Sequence, residues 1–310
     1  MLKINTLVSQ MKACYKMRLL KNHQIDIEKY TQCLRASEQY HFQAEAVYLN
    51  ALNRGSWEVI VLGDYEAVMP VPIIKKFGVK WVLFPPFLQQ LGVFSKKDNL
   101  EINELFFSFL KNNYRVIYYA FNTKNKLNSE QWRKNYRLHK SSYAEAFSNY
   151  STSRKRNLKS PKNNEIKIFS LENLSEIKPF FFQFVEWLSS DRLKEKYFKH
   201  LEYLEQKKLL EIYAARGLQG ALLSVAVISN LGGEKALLCF INNKNQKTNA
   251  PSVVLDEIIK QSIETHQFNF FGSNIPSVEQ FNQRFGAVLE KYSVYHQSKK
   301  QLLLQFIGLR

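Results

Sequence analysis

Apolar and polar positions along the chain switch repeatedly between a period near two and a period near 3.6, and the switches mark out its elements. In the first half, helical spacing over residues 26–36 and 44–53 gives way to the β-branched runs 57–62, 65–72 and 80–83. Gly63 and Asp64 between the first two of these predict a hairpin turn. Asp98 is the expected cap of a helix reaching about residue 112, and residues 115–121, rich in Val, Ile, Tyr and Phe, predict a strand. The second half repeats the order. Helices are expected over 174–188 and 191–206, strands over 210–216, 221–229 and 235–241 with turns at 217–220 and 232–233, then a helix over 251–266 and a strand over 268–271. No residue-level repeat is visible, but a meander of three strands followed by a helix and a crossing strand occurs twice. That order argues for an α/β chain of the α+β kind, with a mixed sheet in each of two domains, expected at residues 1–142 and 143–310.

Three stretches carry finer information. Phe268, Phe270 and Phe271 form an apolar run that stops at Gly272, Ser273 and Asn274, residues suited to a turn with exposed amides. Pro276 and Ser277 then open a helix with Val278, Phe281 and Phe285 on its apolar side, Gly286 ends it, and a strand follows over 291–297. Residues 150–159, YSTSRKRNLK, read as a basic helix capped by Ser151, Thr152 or Ser153. Residues 84–94, FPPFLQQLGVF, read as a stiff loop carrying the amides Gln89 and Gln90.

Taken in this order, the three stretches resemble the FemAB-like branch of the GNAT superfamily: its N-terminal Pro- and Gln-rich loop, the basic helix opening its C-terminal domain, and its closing aromatic strand, Gly-Ser turn and Phe-Gly-Ala, here Phe285, Gly286 and Ala287. The resemblance implies two tandem GNAT-like (acyl-CoA N-acyltransferase) domains. The first, which lacks the closing segment, would be a degenerate supporting copy. It further implies transfer of an acyl or aminoacyl group to an amine acceptor, with a phosphate-bearing donor held by the C-terminal domain. The donor would lie along residues 235–241, including Phe240, and at the following loop, with Lys244, Lys247, Thr248, Asn249 and Ser252 as its contacts. That loop contains no glycine where the superfamily's coenzyme A loop is Gly-rich, and no long paired-helix arm is evident elsewhere. Acetyl-CoA or another acyl-CoA and an aminoacyl-tRNA therefore both stand as donors.

Charge sharpens the picture. The net charge is +17, and residues 124–167 hold twelve Lys or Arg against Glu130, Glu145 and Glu165. This stretch straddles the expected junction between domains and suits a phosphate-bearing partner as well as it suits an ordinary solvated surface. Arg154 and Arg156 are the substrate or anion candidates within it, and Gln89, Gln90, Ser273, Asn274 and Arg284 the further substrate-binding candidates. A transfer to an amine needs a proton acceptor and an acid for the leaving group, for which Tyr213, Tyr292 and Tyr295 are candidates, although most strand tyrosines serve packing. Glu257, Glu264, His266 and His296 fit solvated faces or element ends better than catalysis.

Cys14, Cys33 and Cys239 are widely spaced and give no metal-ligand pattern, and the first twenty residues resemble neither a secretion signal nor a membrane span, so a cytoplasmic protein without metal is expected. Two rivals share these features: an acetyl-CoA-dependent N-acetyltransferase of the same fold, and a catalytically inactive basic module that holds nucleic acid or an anionic surface.

Overall fold

In the computed structural model, residues 16–298 are described except for 54, 55, 77, 86, 129, 130 and 273. The chain forms two units, Met1–Arg133 with Lys291–Arg310, and Lys134–Glu290. This differs from the expected division at 142/143, because the second unit starts earlier and the last strand returns to the first unit.

The first unit runs β1 (Met17–Lys21), α1 (Ile27–Ala36), α2 (Ala46–Asn53), β2 (Trp57–Leu62), β3 (Ala67–Lys76), β4 (Val79–Val82), β5 (Phe94–Ser95), α3 (Leu100–Asn113), β6 (Arg115–Val116) and β7 (Tyr118–Ala120). Its mixed sheet has the order β1-β2-β3-β4-β6, with β5 added to β3 and only the β4/β6 pair parallel. All six residues of β2 are buried, Glu58 among them, which explains the unbroken apolar run from Val59 to Leu62. The expected strand over 115–121 is broken into β6 and β7, with the Ile117 amide between them donating to the Val82 carbonyl at 2.9 Å. The cap of α3 is Asn99, whose side chain accepts from the Glu101 and Ile102 amides at 2.8 and 3.2 Å; Asp98 instead accepts from Gln39, Asn103, Asn125 and the Lys126 amide. The cap therefore falls one residue after the expected Asp98, whose carboxylate is drawn to tertiary partners instead.

The second unit contains β8 (Trp132–Leu138), α4 (Tyr143–Ser148), α5 (Thr152–Leu158), β9 (Lys167–Leu171), α6 (Lys178–Phe184), α7 (Asp191–Gln206), β10 (Leu210–Arg216), β11 (Leu222–Leu231), β12 (Glu234–Asn242), α8 (Ala250–Ser262), β13 (Gln267–Asn269), α9 (Pro276–Gln283) and β14 (Val288–His296). The chain passes between units within β8 and again within β14. The far end of β14 pairs in the first unit with β7, Val294 opposite Ala120. Within the second unit the sheet is also mixed, running β8-β13-β12-β11-β10-β9, with β12 and β13 parallel and the other assigned pairings antiparallel. Helix α8 lays Val254, Leu255, Ile258 and Ile259 onto β10 and β11, each 0–1% exposed. Burying side chains of this size contributes about 1.5–3 kcal/mol apiece. The helix expected over 174–188 is a 3-10 turn, Leu174–Ile177, followed by the shorter α6 with Pro179 in its first turn, where its missing amide costs nothing.

Strands β1, β8 and β9 have no counterpart in the sequence expectation. In β8, WRKNYRL, the charges hide the strand, and two of the three are paired in the folded state: Arg137 sits between Glu234 and Glu290, and Lys134 pairs with Glu279. The folded state also exposes a repeat. Glu58, second residue of β2, pairs with Lys80, second of β4, and accepts from the Tyr114 hydroxyl; Glu211, second of β10, pairs with Lys235, second of β12, and accepts from the Tyr213 hydroxyl. Two sheets with the same strand order thus carry the same ion pair across their meanders.

Candidate functional site

The parallel strands at the middle of the second sheet part company. β12 and β13 pair over three residues, Glu234–Ala236 against Gln267–Asn269; past Ala236 no strand among the described residues pairs with β12 on that side. On its other side β12 follows β11, but the register slips so that Val227 faces Cys239 and Ile228 faces Leu237, which makes Leu238 a bulge. The Leu238 carbonyl accepts from the Tyr197 hydroxyl at 2.5 Å. The outcome is a kinked strip of edge backbone over residues 237–241 beside the end of β13, with no strand among the described residues on that side. Phe240 on this strip is half-buried, its ring 5.9 Å from that of Phe281.

The loop and helix start beyond β12 are closed on themselves. The Ala250 amide donates to Thr248 Oγ1 at 3.3 Å, the Ser252 and Val253 amides to the Asn249 carbonyl at 2.8 and 3.0 Å, and Pro251 has none. Asn249 Nδ2 donates to the Asn157 carbonyl and Asn163 Oδ1, Lys244 pairs with Glu186, and Lys247 is exposed. A glycine-poor loop has here become a helix start whose first-turn amides are already used.

Beside it lies a guanidinium in an unusual setting. Ser151 caps α5, its hydroxyl accepting from the Arg154 amide at 3.2 Å, and this sends the Arg154 side chain inward to 2% exposure. Its Nη1 donates to Ser252 Oγ in the first turn of α8, its Nη2 to the Phe281 carbonyl at 3.1 Å, and its plane lies 4.0 Å from the Phe285 centroid and 4.4 Å from that of Phe281. Nε has no partner. Burial, with the charge of Arg284 added, pulls the group down to about 10, against the opposing pull of Asp256. A buried cation near the positive end of a helix and a second arginine, with no direct carboxylate partner among the described residues, is electrostatically unfavourable and suited to an anion. Arg284 itself is half-buried, and Arg156 lies exposed on the opposite side of α5.

The turn after β13 is built by buried amides. Phe271 takes φ +54°, the left-handed region that costs a side-chain-bearing residue about 1–3 kcal/mol. Asn269 Oδ1 accepts from the Phe271 amide at 3.0 Å, Asn135 Oδ1 from the Gly272 amide at 3.4 Å, and Asn282 Nδ2 donates to the Gly272 carbonyl. Asn274 Oδ1 accepts from the Lys134 amide at 3.1 Å, and Ser273 lies outside the described residues. Strain held by three asparagines that are 0–2% exposed marks this turn as specified in detail.

The other expected residues are dispersed. Tyr213 is half-buried and its hydroxyl donates to Glu211 at 3.1 Å; burial and that carboxylate push it up to about 12. Tyr292 and Tyr295 belong to the first unit, Tyr292 at 3% exposure and Tyr295 edge-on to Phe107 at 5.0 Å, so the three tyrosines do not form one cluster within a unit. Gln90 departs from the expected ligand-facing role: it is fully buried, its Oε1 accepts from the Thr123 amide, and its Nε2 donates to Gln89 Oε1. Both backbone amides of this Gln pair donate to the buried Gln43 Oε1, so the loop over 84–94 is pinned from below.

One group escaped the sequence analysis altogether. Lys134 Nζ binds both oxygens of Glu279 at 2.8 and 2.9 Å, the Tyr136 hydroxyl donates to Glu279 Oε1 at 2.9 Å, and Gln283 Nε2 donates to that hydroxyl at 2.7 Å. The ion pair with Lys134 and the Tyr136 hydrogen bond hold the Glu279 carboxyl below its ordinary range. The only signal was the alternation of Lys134 and Tyr136 along a strand disguised by its charges.

Among the described residues there is no grouping of three or more His, Cys, Asp or Glu able to hold a metal, and no helix long and apolar enough to cross a membrane.

No protein-family model matches the sequence, and no curated protein matches it. The fold does have relatives among solved structures. FemX superposes with a TM-score of 0.63 at 10% identity, over 94% of this chain and 99% of its own. A conserved protein of unknown function from Bacteroides thetaiotaomicron gives 0.56 at 9% identity, over 90% and 99%. L-PGS from Bacillus licheniformis gives 0.50 at 12% identity, over 92% and 97%. With two mixed sheets of like strand order, the chain shares its fold with FemX, two GNAT-like domains in tandem.

Proposed function

We propose that this protein transfers an acyl or aminoacyl group to an amine, with the donor bound by the second unit. The observation that carries the reading is the parting of β12 from β13 after three residue pairs, reinforced by the bulge at Leu238. An extended donor arm hydrogen-bonds there as a missing strand would, and its reactive carbonyl is brought to the strained turn at Phe271, where chemistry consists mainly of positioning. The phosphate of the donor lies toward Arg154 and Arg284; Arg154 makes no direct ion pair among the described residues and feels the charge of Arg284 as well as the weaker pull of Asp256. FemX and L-PGS share this fold, which supports the reading at the level of fold alone. Tyr213 is the acid or proton-handling candidate retained in the second unit; Ser273, Asn274 and Arg156 remain substrate-side candidates, and the protein works in the cytoplasm.

Acetyl-CoA is the first donor to test, by thermal melting with increasing ligand. Saturation at 100 times Kd adds about 2.7 kcal/mol, a rise of several degrees. The rise should vanish in Arg284→Glu. A dose-independent melting temperature would exclude acyl-CoA as donor. A specific observation then favours the second reading, an aminoacyl-tRNA: the first-turn amides of α8 are spent internally, which leaves phosphate recognition to side chains such as Lys247 and Arg284. If neither donor binds and RNA binding is merely salt-steep, the basic module without catalysis prevails.

A further inference from the structure

Along α9 a depression of about 520 Å³ is lined by Pro276, Ser277, Glu279, Gln280 and Gln283. One wall is the Glu279 carboxylate, and its hydrogen-bonding capacity is unevenly used. Oε1 accepts from both Lys134 and the Tyr136 hydroxyl, while Oε2 accepts from Lys134 alone. A carboxylate oxygen has room for two donors, so Oε2 keeps one acceptor position, in a wall otherwise formed by neutral amides and an alcohol. The geometry points to an amine subsite: we infer that Glu279 Oε2 receives an N–H of the acceptor amine, with Gln280 and Gln283 bordering it.

The charge around this position selects the form of the amine. Lys134 and Glu279 cancel each other, so the site has no net attraction for a second cation, and an incoming ammonium meets the like charge of Lys134 nearby. A neutral amine meets no such penalty. It donates to Oε2 and keeps its lone pair, which is the form required of a nucleophile toward an acyl carbon. Tyr136, 2% exposed and fixed between Glu279 and Gln283, holds the carboxylate from the buried side. The same strand ties the subsite to the strained turn, because the Lys134 amide and Asn135 Oδ1 bond Asn274 and Gly272 while Lys134 Nζ and the Tyr136 hydroxyl bond Glu279.

This inference rests on the proposed transfer to an amine, but its test does not require transfer. Binding of 1,5-diaminopentane to the full chain is followed by calorimetry, without donor, from pH 6 to 10. Expected are a measurable affinity that strengthens with pH as the amine loses its proton, a loss of at least ten-fold in Glu279→Gln, and an equal loss in Gln280→Trp, which fills the depression from an exposed position and leaves the ion pair intact. Should Glu279→Gln fail to fold, Gln280→Trp decides. Affinity unchanged in the variants, an affinity that weakens with rising pH, or no binding at any pH would each overturn the subsite. Amine binding with no transfer from any donor would keep the subsite and defeat the transferase reading; transfer with an unchanged acceptor KM in Gln280→Trp would do the reverse.

Discussion

Gly286→Ala should be among the most damaging small substitutions in the second unit, and its cost can be separated into two parts. Gly286 ends the α9 segment with φ +72°, and a Cβ built there would lie 2.7 Å from the Asn149 carbonyl oxygen, 2.9 Å from its Cβ and 3.0 Å from its carbonyl carbon. These are mostly backbone atoms at the cap of α4, so no flexible side chain can yield. The left-handed conformation alone costs an alanine about 1–2 kcal/mol. Relief of the overlap requires a backbone shift of the kind that adds about 1–3 kcal/mol. Gly220, in the hairpin between β10 and β11, isolates the first part: it has φ +75° and nothing within 4 Å of an added Cβ. Urea unfolding of both variants should therefore show Gly286→Ala losing about 2–5 kcal/mol and Gly220→Ala about 1–2 kcal/mol. Equal losses would refute the argument that the Asn149 contact, and with it the tight seat of the basic helix against the end of α9, matters to stability. The Ser151 amide donates to the Arg284 carbonyl at 3.0 Å in the same seat, so Gly286→Ala should also weaken donor binding while Gly220→Ala leaves it unchanged.

Two further substitutions probe the charged networks. Arg137 is shared by Glu234 and Glu290, with side-chain exposures of 12%, 14% and 21%, so Arg137→Met strands two carboxylates and should cost about 3–5 kcal/mol in chemical denaturation; a loss under 1 kcal/mol would show that water reaches them. For Glu211, burial pushes the carboxyl up, but the bond and charge of Lys235 outweigh it and leave the group below its ordinary value of 4.5. A depressed carboxyl adds stability that is fully present above that value and is lost as pH falls through the folded-state value. Wild-type melting temperature should accordingly drop on acidification below about pH 4.5 more steeply than in Lys235→Met; parallel curves would remove the pair from the acid response.

How much of this was legible beforehand varies by element. Strands β2, β10, β11 and β12 carry apolar runs bounded by glycine turns, and their hydrophobicity specifies them; α7 and α8 show helical spacing, and Ser151 and Gly286 fell in their expected roles at element ends, while on the expected apolar side of α9 Phe281 packs inward but Val278 is exposed. The repeated element order followed from these, and with it the tandem mixed sheets. What failed was every choice that depends on a distant partner. Strand β8 looks like a charged linker until Glu234, Glu279 and Glu290 neutralise it. Gln90 looked like a ligand-facing amide until the Thr123 amide and Gln89 consumed it.

The sequence by itself determined the apolar strands, the longer helices and the glycine turns, because those depend on periodicity and on the backbone freedom of neighbouring residues, whereas β1, β8 and β9 were hidden in it. Only the tertiary structure decided that Arg154 is buried between two phenylalanine rings rather than exposed on a basic helix, that β12 and β13 separate after three residues, and that Lys134, Tyr136 and Glu279 meet. Each of these joins residues far apart in the chain, and the energy that fixes them, desolvated charge and matched hydrogen bonds, exists only once both partners have left water.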